Sequence, residues 1–87
     1  MPKTYNLKYP ITVGEKTITS VTLKRLTAGD LRKAAVKAQG MQEELVLTLT
    51  QISTGLDVKT IDKMDIYDFI KIQSYFVSLL EGEEPNI

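Results

Sequence analysis

The sequence predicts an α+β fold: an N-terminal antiparallel β-hairpin followed by three α-helices, with a short helical turn before the last, in a single small domain covering 1–87. Three observations carry this. Leu7, Tyr9, Ile11 and Val13 alternate with polar neighbours, which is the period of a half-buried strand. After Leu26 the apolar spacing changes to three and four, the period of a helix. Gly40 and Gly55 then close two successive helical runs. A chain of 87 residues is near the lower limit for burying a core of its own, so association with another chain is an expectation from the start.

The hairpin is expected over about residues 5 to 25. Pro10 cannot donate to a ladder, so the first strand is an edge or breaks there. Gly14-Glu15-Lys16 reads as the turn, and TITSVTLKR is rich in β-branched residues. Its alternation has a fault, because Ile18 is on one parity while Val21 and Leu23 are on the other. Either a β-bulge near Thr19 and Ser20 restores the apolar face, the reading favoured here, or the hairpin packs on both faces.

The first helix is expected over about residues 28 to 39. Thr27 is placed to cap it, and Asp30 follows where a capping-box acid would sit, although its side chain is shorter than the usual Glu. Gly29 reads as a position that lets backbones pack closely, and Leu31, Ala34, Ala35 and Ala38 form the apolar stripe. The second helix, about 42 to 54, carries Met41, Leu45, Leu49 and Ile52 on one side, widened by Val46 and Leu47. Asp57 caps a short turn, and Asp65 caps the last helix, about 65 to 80. In that helix Ile66, Phe69, Ile70, Gln73, Phe76, Val77 and Leu80 read as the core face. Ile72, Tyr75 and Leu79 read as a flank open to another chain. The tail from 81 to 87, EGEEPNI, is acidic and expected to be flexible.

Composition excludes much chemistry. Cysteine and histidine are absent, which removes zinc sites, thiol redox chemistry and the commonest general base, and nothing nucleophilic sits beside a plausible base. No catalytic residue, cofactor or metal is expected. Ala28-Gly29-Asp30 has one glycine and an acid, a poor phosphate cradle. Asp57, Asp62, Asp65 and Asp68 lack the alternate-position ligands and terminal Glu of a calcium loop. No apolar run approaches the roughly 20 residues of a membrane span, and MPKTYNLKYP lacks the apolar core of a signal peptide, so the chain reads as cytosolic.

The formal charge is zero but polarised. Up to Gly40, eight basic residues face two acidic ones, a net +6; from Met41 onward, three face nine, a net −6. Such polarity can serve docking of the two halves or head-to-tail association of copies, or mark solvated faces. The basic half alone would suit nucleic acid, but the acidic half repels it and the aromatics lie in an apolar helix, so no nucleic-acid partner is expected.

The ordered landmarks YPITVGEKTITSVTLKRLTAGDLRKA, LTQISTGL and IDKMDIYDFIKIQSYFVSLLEG resemble the small tail assembly chaperones of contractile-tailed phages, Mu-like phages and related prophages included. The resemblance runs from about Leu7 to Leu80, through Val13-Gly14, Thr27 to Arg32, Thr54 to Leu56 and Asp62 to Asp68. It implies a non-enzymatic helper that keeps the aggregation-prone tape measure protein soluble while tail tube subunits assemble around it. It also implies residence in the host cytoplasm and absence from the mature virion. The family's second, frameshifted product would add a segment contacting tail tube protein. A minor structural or connector protein of the tail, and a small DNA-binding regulator, are the competing readings.

A client-binding helper needs apolar surface and a way to multimerise. The expected protein-binding residues are Ile72, Tyr75 and Leu79. Lys24, Arg25 and Arg32 are expected to meet Asp62, Asp65 or Asp68 within or between subunits, and a homo-oligomer is expected.

Overall fold

The computed structural model describes residues 2–87. Strand β1 (Lys3–Val13) pairs antiparallel with β2 (Lys16–Leu23), and helices α1 (Ala28–Ala38), α2 (Gln42–Thr54), α3 (Val58–Asp62) and α4 (Ile66–Leu80) follow. Gly14 and Glu15 form the two-residue turn, with Val13 opposite Lys16. Gly14 has φ +63°, the glycine-first requirement of a type II′ hairpin.

The hairpin register slips in its middle. Asn6 faces Ser20 and Ile11 faces Ile18, so Leu7 to Pro10 in β1 lie opposite Thr19 alone. The irregularity therefore sits where the fault in β2 suggested, but the surplus residues belong to β1. Pro10 explains the side chosen, since it has no N–H for the ladder and its strand loses least by looping out. Tyr5, Leu7, Ile11, Val21 and Leu23 nevertheless all reach the core.

Helix α4 lies on β1, α2 packs on both α4 and β2, and α1 packs outside α2. The core joins the hairpin residues to Ala34, Val46, Leu49, Met64, Ile72, Tyr75 and Phe76. Both halves of the Thr27 capping box form: the Asp30 N–H donates to Thr27 Oγ1 at 3.2 Å, and the Thr27 N–H to Asp30 Oδ2 at 2.9 Å. Gly29 makes no close backbone approach, because a Cβ there would meet only Thr27 Oγ1, at 3.6 Å.

Polar bonds fix the joints. The Ser53 hydroxyl donates to the Lys24 carbonyl at 2.8 Å while the Lys24 N–H donates to the Ser53 carbonyl at 3.1 Å, tying the end of β2 to the end of α2. Gln73 Nε2 donates to Thr50 Oγ1 at 3.0 Å across the α2–α4 seam. After Leu80 the chain turns back: Arg25 pairs with Glu84, Lys3 Nζ donates to the Pro85 carbonyl at 3.2 Å, and Ile87 packs against the core.

Candidate protein-binding site

The candidate site is organised by a buried acid. Asp68 lies in the first turn of α4 yet is 0% exposed, because its side chain turns toward β1. Its Oδ1 accepts from the Tyr5 hydroxyl at 2.8 Å and from the Lys8 N–H at 2.9 Å, and its Oδ2 accepts from the Tyr9 N–H at 3.0 Å. Lys8 and Tyr9 are in the looped-out stretch, so the carboxylate replaces the strand partners their N–H groups lack. Burial pushes the Asp68 carboxyl upward. The two backbone donors, the Tyr5 hydroxyl and the nearby Lys8 ammonium outweigh burial and hold it below its ordinary value. Burial and the same hydrogen bond push the Tyr5 hydroxyl up to about 12.

Pinning this stretch fixes what it displays. The Tyr9 ring meets Tyr67 edge to face, with centroids 6.4 Å apart. Lys8 Nζ stands 4.8 Å and Lys71 Nζ 5.6 Å from the centre of the Tyr67 ring, each within cation–π range. Beside them Ile66 is 71% exposed and Ile70 53%, one turn apart on α4 and so on one side of it. Together Tyr9, Ile66, Tyr67 and Ile70 form an apolar and aromatic face with two lysines on its border. Singly exposed apolar residues are ordinary, whereas a set gathered on two elements makes this face the candidate contact surface.

A concavity of about 290 Å³ opens at the other end of α4, lined by Lys24, Arg25, Leu31, Tyr75, Leu79 and Leu80 among others.

The residues expected from sequence are distributed as follows. Ile72 is 0% exposed and Tyr75 5%, so both hold the core and offer little surface; Leu79 is half-buried in the concavity. Lys24, Arg25 and Arg32 are exposed, and Arg25 pairs with Glu84. Asp65 is exposed and caps α4 by accepting from the Tyr67 N–H at 2.9 Å, and Asp62 is exposed on α3. None of the expected basic-to-Asp62, Asp65 or Asp68 pairs forms within the chain among the described residues. Asp68 is withdrawn from such pairing altogether, since the hairpin surrounds it.

The core face of α4 is thus rotated from the expected one. Asp68, Ile72, Tyr75 and Phe76 point inward, while Ile66 and Ile70 face out. The signal is present as the spacing 68, 72, 75, 76, an unbroken helical stripe, but its first member is an acid, a residue type that a first helical turn ordinarily leaves in solvent. Ile66, Tyr67 and Ile70 face out with that rotation, whereas Tyr9 faces out against the strand alternation because the register of β1 slips around it.

Among the described residues no group of acids could hold a metal ion, and no helix is long and apolar enough to cross a membrane. Fold and surface together define a small hairpin-and-helix protein with an exposed apolar and aromatic face. The family model for "Phage tail assembly chaperone proteins, E, or 41 or 14" matches residues 4–81, and the chain belongs to that family of phage tail assembly chaperones. No curated protein and no solved structure matches the chain.

Proposed function

We propose that this chaperone acts without catalysis by binding the tape measure protein and keeping it soluble while the tail tube assembles. The observation that supports this most is the Tyr9, Ile66, Tyr67 and Ile70 face, exposed apolar surface in which the Asp68 bonds fasten the Tyr9 backbone to the helix that carries the other three. A long helical client offers apolar ridges that such a face can cover. On this reading the protein works in the host cytoplasm and leaves before the virion is complete. A longer frameshifted product would bring tail tube protein to the complex, and copies would associate through the basic and acidic halves, with Lys24, Arg25 and Arg32 toward Asp62 and Asp65. Leu79, at the other end of α4, would offer a separate contact, while Ile72 and Tyr75 hold the core between the two.

Co-expression with the tape measure protein tests the reading. The client should partition to the soluble fraction only when this chain is present; a client equally insoluble in both cases would overturn it.

A further inference from the structure

We infer that the concavity between the end of β2, α1 and the last turn of α4 is a docking groove for an acidic, aliphatic segment of a partner protein, and that the chain's own C-terminal tail competes for it. This face is distinct from the Tyr9–Ile70 surface and does not depend on the client assigned there.

Two observations specify the occupant. The groove has apolar walls, with Leu31, Leu79 and Leu80, and cations at its rim, Lys24 and Arg25, a combination complementary to a carboxylate adjoining aliphatic side chains. The chain's own tail already brings one such carboxylate, Glu84, to the rim. Gly82, at φ +83°, reverses the backbone, and the Glu83 N–H donates to the Ser78 carbonyl at 2.9 Å. Glu84 then pairs with Arg25, and the Pro85 carbonyl accepts from Lys3, whose ammonium stands 5.4 Å from the centre of the Tyr75 ring that lines the groove. Both members of the Arg25–Glu84 pair are about half exposed, at 56% and 46%. An ion pair so exposed is weak, so the Glu84 carboxylate is an exchangeable occupant of the rim even though Ile87 packs against the core.

The test titrates an acetylated EGEEPNI peptide into the full chain, into Glu84→Gln and into Arg25→Glu, following the amide shifts of Leu26, Leu31 and Leu79 by NMR. Loss of the internal competitor should let Glu84→Gln saturate at roughly fivefold lower peptide than the unaltered chain, the ratio that about 1 kcal/mol gives. Arg25→Glu should show no saturable shift. Identical curves for the unaltered chain and Glu84→Gln, or full binding by Arg25→Glu, would overturn the proposal. Both substitutions are at exposed positions, so circular dichroism should be the same for all three proteins.

Discussion

The Tyr5 hydroxyl donates to the carboxylate of Asp68 at 2.8 Å, joining residues 63 positions apart and fastening the hairpin to the last helix. Two N–H groups of the looped-out stretch of β1 share that carboxylate. The bond is therefore part of a three-donor clamp, and the client face proposed here is built on it.

Removing the acid leaves three buried or partly buried donors without their acceptor. Asp68→Ala should lower the free energy of unfolding by about 2 to 4 kcal/mol, and Tyr5→Phe, which deletes one charge-assisted bond, by about 1.5 to 3 kcal/mol. Urea denaturation checks both. An Asp68→Ala protein as stable as the parent would mean that the clamp does not hold the hairpin.

The clamp also sets a pH dependence. Asp68 is held below its ordinary value of 3.8, so its stabilisation is fully present above that pH and is lost as pH falls through the lower folded value. Asp57, lowered chiefly by its bond with Thr60, adds to the same acid slope, and comparison with Asp68→Asn isolates the Asp68 share. Tyr5 runs the other way. Its value is raised from 10.0 to about 12, so its stabilisation is complete below pH 10 and lost as pH climbs toward 12. Denaturation midpoints should fall at both extremes, and Tyr5→Phe should flatten the alkaline limb.

Gly29 gives a prediction of opposite sign. It occupies the first turn of α1 with ordinary backbone angles and room for a methyl group. Gly29→Ala should stabilise the fold by about 0.5 to 1 kcal/mol through reduced unfolded-chain entropy and better helix propensity. A loss of stability would indicate a close approach at this position.

Met41 stands at the N-cap of α2 with no side-chain bond to the first turn. Met41→Asp should add about 1 kcal/mol by supplying that bond and a negative charge at the positive end of the helix dipole. Thermal unfolding measures the gain, and an unchanged or lower midpoint would contradict it.

Much of this architecture was legible in the sequence because local rules and tertiary demands agreed. Thr27 and Asp30 spell a capping box, Gly14 and Gly55 sit at left-handed positions, and the strand alternation of Leu7 and Ile11 survives in the fold. The candidate surface was less legible, and one residue accounts for most of that. An acid in a first helical turn is ordinarily solvated, but Asp68 is drawn inward by donors in a strand that Pro10 and its neighbours loop out. Single-helix periodicity carries no information about those distant N–H groups. Reading Asp68 as inward turns the helix so that Ile66 and Ile70 face out, where alternation and spacing alone had placed them inside.

The most direct test of the central claim replaces Ile66 and Ile70 together by Ser and measures co-purification of the tape measure protein. Both side chains are exposed, so circular dichroism and the urea midpoint should remain those of the parent. Client recovered with the double variant should fall at least about tenfold, the effect of roughly 1.4 kcal/mol at an apolar contact. Undiminished recovery with an intact fold would contradict the account.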